Sequence, residues 1–278
     1  MKAKLEHKIN KEIESLSPEQ LQEVLTYIKH PHKVSRKIYP LDFNDKKVKI
    51  GVISDTHIGH KLYRYDVLRH AASEFTKEGV DFVVHPGDII EGMSGREGHI
   101  YELSHVGHEA QMKYAIDELS IIKQPIYGIT ASNSHDGWYN SKNNAGVQVG
   151  PQLEKDLKNF KFLGFDEADL KLDNGLVIRL SHPGDGVAYA LSYKLQKYIN
   201  AISGGQKPNL LFEGHYHKAN YLFYRNIHAF DAGCLIDQTI FMKKKQTPAM
   251  VGYWIVTCEV GKSGGVNSVT PKFRPYYE

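Results

Sequence analysis

The sequence predicts an α/β fold in which two β-sheets stack as a sandwich with helices outside, preceded by a small N-terminal helical hairpin. Three observations predict it. From residue 48 onward, apolar runs of strand length alternate with amphipathic helical windows, the pattern of a layered α/β domain. Further on, strand-length runs at 221–224, 228–231 and 252–259 follow one another without long helices between them, which requires a second sheet. Before residue 30 the apolar residues recur at helical spacing only.

The elements follow in order. Leu5, Ile9 and Ile13 stand four apart, and Leu21, Val24, Leu25 and Ile28 repeat the helical period. Between them Ser17-Pro18-Glu19-Gln20 offers an N-cap serine, a proline at the first helical position and a capping-box glutamine. Residues 1–30 are therefore expected to form a hairpin of two short helices. Such a hairpin cannot bury its apolar stripe alone, so it should pack on the main body or on a second copy, giving a homo-oligomer through these helices. Residues 31–47 are basic, proline-punctuated and aperiodic, as in a linker. The main domain is expected over 48–260, with strands at 48–53, 82–85, 126–129, 177–181 and 210–212 and helical windows near 63–78, 108–123, 150–158 and 187–203. The tail, 261–278, with Gly264-Gly265 and Pro271, is expected to be loosely packed.

Composition narrows the function classes. Of 278 residues, 41% are hydrophobic and 24% charged, which allows a sizeable core and excludes wholesale disorder. No apolar run approaches the ~18–20 residues of a membrane span, and the lysine-rich start lacks a signal-peptide core. The expected location is cytoplasmic, with no membrane partner. Two cysteines, Cys234 and Cys258, make no disulfide framework. Fifteen histidines against two cysteines point to nitrogen and oxygen metal chemistry rather than thiolate chemistry.

Metal-ligating residue types stand directly after the apolar runs. Asp55 and His57 follow 48–53, Gly87-Asp88 follows 82–85, Asn133 and His135 follow 126–130, His182 follows 177–181, and Gly214-His215 with His217 follows 210–212. In open α/β sheets, ligands gather at the C-terminal ends of strands. A lone Asp-x-His is usually a turn and a lone Gly-Asp a loop. Five such groups in this order supply enough nitrogen and oxygen for two divalent cations.

The order Asp55-x-His57, Gly87-Asp88, Asn133 with His135, His182 and Gly214-His215-x-His217 resembles the calcineurin-like metallophosphoesterase superfamily, over roughly residues 48–260. The resemblance implies a four-layer sandwich with a dinuclear site at its edge. Asp55, His57 and His217 would hold one metal, Asn133, His182 and His215 the other, and Asp88 would bridge them. Manganese is the first expectation for the two ions; iron, zinc or nickel also suit mixed His/Asp/Asn coordination. The implied reaction is phosphoester hydrolysis by in-line attack of a metal-bridging hydroxide. His135 would be the catalytic residue, giving a hydrogen bond or proton to the leaving oxygen.

One departure concerns the third motif, which the family writes Gly-Asn-His followed by Asp or Glu. Here Ser134 separates Asn133 from His135, and Ser132 replaces the glycine. Either one residue is inserted and Asn133 remains the ligand, or Ser134 occupies the ligand position. An amide oxygen is the better divalent-metal ligand, so Asn133 is the expected one.

Outside this set, Glu91 is expected to accept a hydrogen bond behind the ligands rather than bind metal. Arg96, in the polar insertion 92–108, is a candidate phosphate contact, set against the plain reading of that insertion as a surface loop. The ten other histidines, Asp185 and the run Lys243-Lys244-Lys245 read as satisfied, turn-forming or solvated residues. The substrate expectation is a phosphodiester, first of all in DNA, RNA or a nucleotide. It rests on the net charge of +3 and on the basic clusters at 30–47 and 243–245. A phosphomonoesterase acting on a small molecule is the alternative. An inactive binding scaffold is a third reading, which loss of ligand residues would signal.

Overall fold

The computed structural model describes residues 17–18, 21, 37–140, 146–261 and 264–276. The chain divides into two units, Met1–Arg36 and Lys37–Glu278. Apart from three residues, the expected hairpin and the oligomer built on it lie outside the described residues. Within those three, the Leu21 N–H donates to the Ser17 carbonyl at 2.8 Å, as an N-cap at Ser17 requires.

The larger unit opens with β1 (Ile38–Leu41) and β2 (Lys47–Val52). It then alternates α1 (Tyr65–Glu78), β3 (Phe82–Pro86), α2 (His108–Leu119), β4 (Ile126–Thr130), α3 (Val149–Asp156) and β5 (Phe160–Phe165). There follow β6 (Glu167–Leu172), β7 (Val177–Ser181), α4 (Tyr193–Ala201), β8 (Leu210–Glu213), β9 (Ala219–Tyr224) and β10 (Ile227–Ala232). A short helix, α5 (Ile240–Lys245), precedes β11 (Gly252–Val260) and β12 (Val266–Pro275). One six-stranded sheet runs β12-β11-β2-β3-β4-β5 and the other β1-β6-β7-β8-β10-β9.

Side-chain alternation sorts the core into layers. Val48, Ile50, Val52, Phe82 and Val84 of the first sheet meet Leu180, Phe212 and Phe230 of the second in the space between the sheets. On the outer face of the first sheet, Val83 and Ile126 pack with Val67, Leu68 and Phe75 of α1, Met112 of α2 and Leu153 of α3. Strands β2 to β5 pair in parallel, which demands crossover connections, and these helices supply them. On the far face of the second sheet, Leu211, Ile227 and Ala229 pack with Leu195 and Ile199 of α4. Helix, sheet, sheet and helix are the four expected layers.

Two boundaries differ from expectation. Part of the segment read as a linker forms β1, which pairs in parallel with β6, and Tyr39 and Leu41 pack on the inter-sheet core. Most of the tail read as loosely packed forms β12, antiparallel to β11, with Val266, Val269 and Phe273 on the same core. Both are edge strands, where a proline is tolerated because one side of the strand needs no ladder donor. Pro40 and Pro271 therefore read as breakers in sequence while marking edges in the fold. Strands β5 and β6 and helix α5 were also not anticipated. Lys161, Asp169 and Lys171 interrupt the two strands' apolar pattern, and α5 is six residues long.

One buried ion pair ties β6 to β7. Arg179 is fully buried. Its Nε and Nη2 donate to Asp169 Oδ1 and Oδ2 at 2.7 and 2.8 Å, and the two residues face each other across the strands. Removing one partner strands the other charge in a low-dielectric interior. Arg179→Ala should therefore lower the unfolding free energy by about 3–5 kcal/mol, read from urea denaturation. A loss near the ~0–1 kcal/mol of an exposed pair would show that this contact does not hold the sheet.

Candidate metal centre

Parallel pairing brings the C-terminal ends of β2, β3 and β4 to one edge of the first sheet and those of β7 and β8 to one edge of the second. The chain leaves these ends in tight, cross-linked turns. Asp55, His57, Asp88, His135, His215 and His217 have φ of 47, 49, 52, 26, 80 and 53°. Residues with a Cβ seldom adopt this region, and each such residue costs about 1–3 kcal/mol. Backbone hydrogen bonds hold the turns in place. The N–H groups of Asp55, His57 and Ile58 donate to the carbonyls of Gly87, Asp88 and Ile89 at 3.1, 3.1 and 3.0 Å. The His215 N–H donates to Asp55 Oδ1 at 2.8 Å. Gly87 and Gly214 are required by close approach. A Cβ on Gly87, at φ 99°, would lie 2.6 Å from His182 Nδ1, and one on Gly214 would lie 2.7 Å from the Pro86 carbonyl.

The turns converge on three groups whose ligand atoms lie within 4.8 Å of one another: Asp55, His57 and His217; Asp88, His182 and His215; and His57, Glu91 and His135. In the first, His57 Nε2 is 3.0 Å from His217 Nε2, which is 3.3 Å from Asp55 Oδ1. At most one proton fits between the two imidazole nitrogens, and a cation accepting both lone pairs fits the same place. In the second, His182 is buried and its Nε2 atom lies 3.1 Å from Asp88 Oδ2. Two buried ligand atoms facing each other in this way suit a divalent ion between them.

Partners on the opposite ring nitrogens fix which nitrogen presents its lone pair. His182 Nδ1 donates to the Pro86 carbonyl at 2.7 Å, leaving Nε2 free. His215 Nε2 donates to the Asp185 carbonyl at 2.7 Å, leaving Nδ1. His57 Nδ1 donates to Glu91 Oε2 at 2.8 Å, and His99 Nε2 donates to Glu91 Oε1 at 2.7 Å. Glu91 thus stands behind His57, orienting the ring and raising its basicity. His135 Nδ1 donates to the Glu91 carbonyl at 2.9 Å, and its Nε2 lies 3.9 Å from Asp88 Oδ2.

The electrostatics match these assignments. Burial pushes Asp55 up, but the hydrogen bond and charge of His217 bring it down to about 2. Asp88 and Glu91 lie well below the usual carboxylate range despite burial, because His182 and His135 face the one and His135, His57 and His99 the other. Burial, with His135 adding to it, pushes His57 down to about 4, so it is neutral at pH 7. Burial also opposes protonation of His135 and His182, yet Asp88 raises them to about 9 and about 10. With no cation beside it, the Asp88 carboxylate thus holds protons on these two rings; a cation bound at His182 Nε2 would displace the proton there. Burial and the Asp88 charge raise Asp136 to about 7, while its carboxyl oxygens accept the Ile89 and Ile90 N–H groups at 3.1 and 2.9 Å and shape the turn after Asp88.

Of the residues expected from sequence, Asp55, His57, Asp88, His135, His182, His215 and His217 come together here. Asn133 is exposed and lines a smaller neighbouring cleft with Ser134 and His182. It is Ser134 whose hydroxyl donates to Asp88 Oδ1, at 3.0 Å. The cause lies one residue earlier, where the Ser132 N–H and hydroxyl donate to Asp166 at 2.7 and 2.6 Å and pin the loop. Arg96 lines the main cleft, its guanidinium forked onto Glu102 at 2.9 and 2.8 Å. His99, Asp136, Trp138 and Asp185 were not singled out for the site. His99 and Asp185 act through a ring partner and a backbone carbonyl, which residue type does not reveal. Spacing could have flagged Asp136, since it follows His135 as the acidic residue follows histidine in the family motif. The main cleft has a volume of ≈ 690 Å³, and His57, Asp88, His135, His215 and His217 are among its lining residues.

No family model matches the chain, and no curated protein does. Solved structures do match. An archaeal phosphodiesterase shares 15% identity over 82% of this chain and 100% of its own, with a TM-score of 0.45. Yfce, a phosphoesterase from E. coli, shares 12% over 80% and 98%, with a TM-score of 0.42. Vps29 from Entamoeba histolytica, complexed with zinc, shares 12% over 82% and 99%, with a TM-score of 0.40. The chemistry is read from the Asp and His cluster itself.

Asp88→Ala should abolish binding of divalent metal, while Glu91→Gln should keep the site and weaken it by about 10–100-fold, measured by metal titration of folded protein. Equal losses from the two substitutions would mean that Glu91 is itself a ligand.

Proposed function

We propose that the protein is a binuclear metal-dependent phosphoesterase that hydrolyses phosphodiesters, nucleotidyl ones first. The observation that carries this reading is the pair of ligand groups, Asp55–His57–His217 and Asp88–His182–His215, with members of both lining one open cleft. Bound divalent cations supply a nucleophile at neutral pH and draw charge off the phosphate's non-bridging oxygens. The chain's own contribution is positioning. Glu91 orients His57, Ser134 orients Asp88, and the Pro86 and Asp185 carbonyls orient His182 and His215. His135 faces the cleft with its Nδ1 committed to the Glu91 carbonyl, so Nε2 is the atom that gives a proton or hydrogen bond to the leaving oxygen. Diesters are favoured over monoesters because, apart from its histidines, the cleft has few cationic side chains. Among the described lining residues these are Arg96 and Lys245, and Arg96 is already paired with Glu102. A dianionic monoester would ask for more uncompensated positive charge.

Manganese-loaded protein should hydrolyse bis(p-nitrophenyl) phosphate and stop on addition of a chelator. His135→Ala should retain its metal and lower kcat by about 10²–10⁴. Metal-replete protein with no turnover of aryl diesters or monoesters would end the enzyme reading, and faster turnover of the monoester would make it a phosphatase.

We further propose that Ser134, rather than Asn133, serves the bridging carboxylate. Ser134→Ala should weaken metal binding by about tenfold or more, with Asn133→Ala matching wild type in the same titration. The reverse pattern would restore Asn133 as the ligand.

A further inference from the structure

The far wall of the main cleft carries a cation-flanked aromatic ring. Helix α5 is pinned at both ends. The Thr239 hydroxyl caps it by accepting the Met242 N–H at 3.2 Å, and Gln246, at φ 54°, returns its N–H to the carbonyls of Lys243 and Met242. Gln238 Nε2 closes the loop by donating to the Thr247 carbonyl at 2.8 Å. Met242 is buried, whereas the neighbouring Phe241 is 50% exposed. Phe241 and Lys245, one turn apart on the same helix face, line the cleft that holds His57, Asp88, His135 and His215. Lys245 Nζ is 5.9 Å from the Phe241 ring centroid. Arg96, from the insertion after Asp88, puts its Cζ at 5.9 Å from the same centroid, and Glu102 holds it there through Nη1 and Nη2 of the guanidinium.

Each part of this arrangement excludes a class of ligand. A sugar phosphate would use the cations and have no need of the ring, and an apolar ligand would use the ring and be ill served by two cations. A ligand that is planar and aromatic on one side and anionic on the other uses all three. We propose that Phe241, flanked by Arg96 and Lys245, is the base-binding subsite of the cleft: the nucleobase stacks on the ring and its neighbouring phosphate meets the two cations. The inference rests on the phosphoesterase reading for the reaction and deepens it by naming the residues that would hold the base of a nucleotidyl phosphodiester.

The test compares AMP with ribose-5-phosphate, which differ by the base, in calorimetric titrations of manganese-loaded protein. AMP should bind about tenfold more tightly, a typical stacking contribution. Phe241→Ala should erase that difference and leave ribose-5-phosphate affinity unchanged, and Phe241→Trp should keep it. Lys245→Ala should weaken both ligands and flatten the salt dependence. Equal affinities in the wild type, no binding of AMP, or an AMP preference that survives Phe241→Ala would overturn the subsite. Hydrolysis of bis(p-nitrophenyl) phosphate, measured on the same samples, separates the two ideas: its absence counts against the phosphoesterase reading, while the binding comparison still decides the subsite.

Discussion

The site is organised around one buried charge, the carboxylate of Asp88. An ionised carboxylate with almost no exposure to water is tenable only if opposite charge and hydrogen-bond donors replace its hydration. The fold supplies them from three directions. His182 arrives from the end of β7 at 3.1 Å, Ser134 from the loop after β4 at 3.0 Å, and His135 from the same loop at 3.9 Å. Asp88 itself sits at a positive φ, so the turn after β3 must be held against local preference. The Asp136 carboxyl group does this by accepting the next two backbone N–H groups.

A second buried carboxylate, Glu91, works behind the first. It holds His57 and His99 through separate oxygens, and its backbone carbonyl holds His135. One residue thus fixes the rings of His57, His99 and His135. Gln111 ties down the next link: its Oε1 accepts the Gly92 N–H at 2.8 Å and its Nε2 donates to the Gly92 carbonyl at 3.0 Å. The loop between β3 and α2 is therefore a support for the site, and it also delivers Arg96 to the cleft wall.

Much of this was legible in the sequence because parallel strands leave a strong trace. Each of 48–53, 82–85, 126–129, 177–181 and 210–212 is an apolar run, and in the fold each is a strand flanked by its neighbours, with ligand-type residues just past its end. What was not legible depends on partners distant in sequence. β1 has four residues with alternate exposure and acquires meaning only beside β6. The placement of Ser134 at Asp88 depends on Asp166, which lies past β5 and pins Ser132; no local pattern around residue 133 contains that information. Phe241 carries no signal in its own stretch of sequence, since the cation beside its ring, Arg96, comes from far earlier in the chain.

The two principal ligand groups each draw on both sheets. Asp55 and His57 follow β2 and Asp88 follows β3, in the first sheet; His182 follows β7, and His215 and His217 follow β8, in the second. The interior between the sheets is apolar and fixes their separation without specifying direction. The ligand edge is different, since strained turns from opposite sheets are linked there by polar contacts such as the His182–Pro86 hydrogen bond and the His215 N–H donating to Asp55. A cation bound by either group would clip one sheet to the other, and its binding free energy would add to the stability of the sandwich as RT ln(1 + [L]/Kd). The positive-φ turns are costly in isolation, and binding of this kind would add to the backbone hydrogen bonds that hold them.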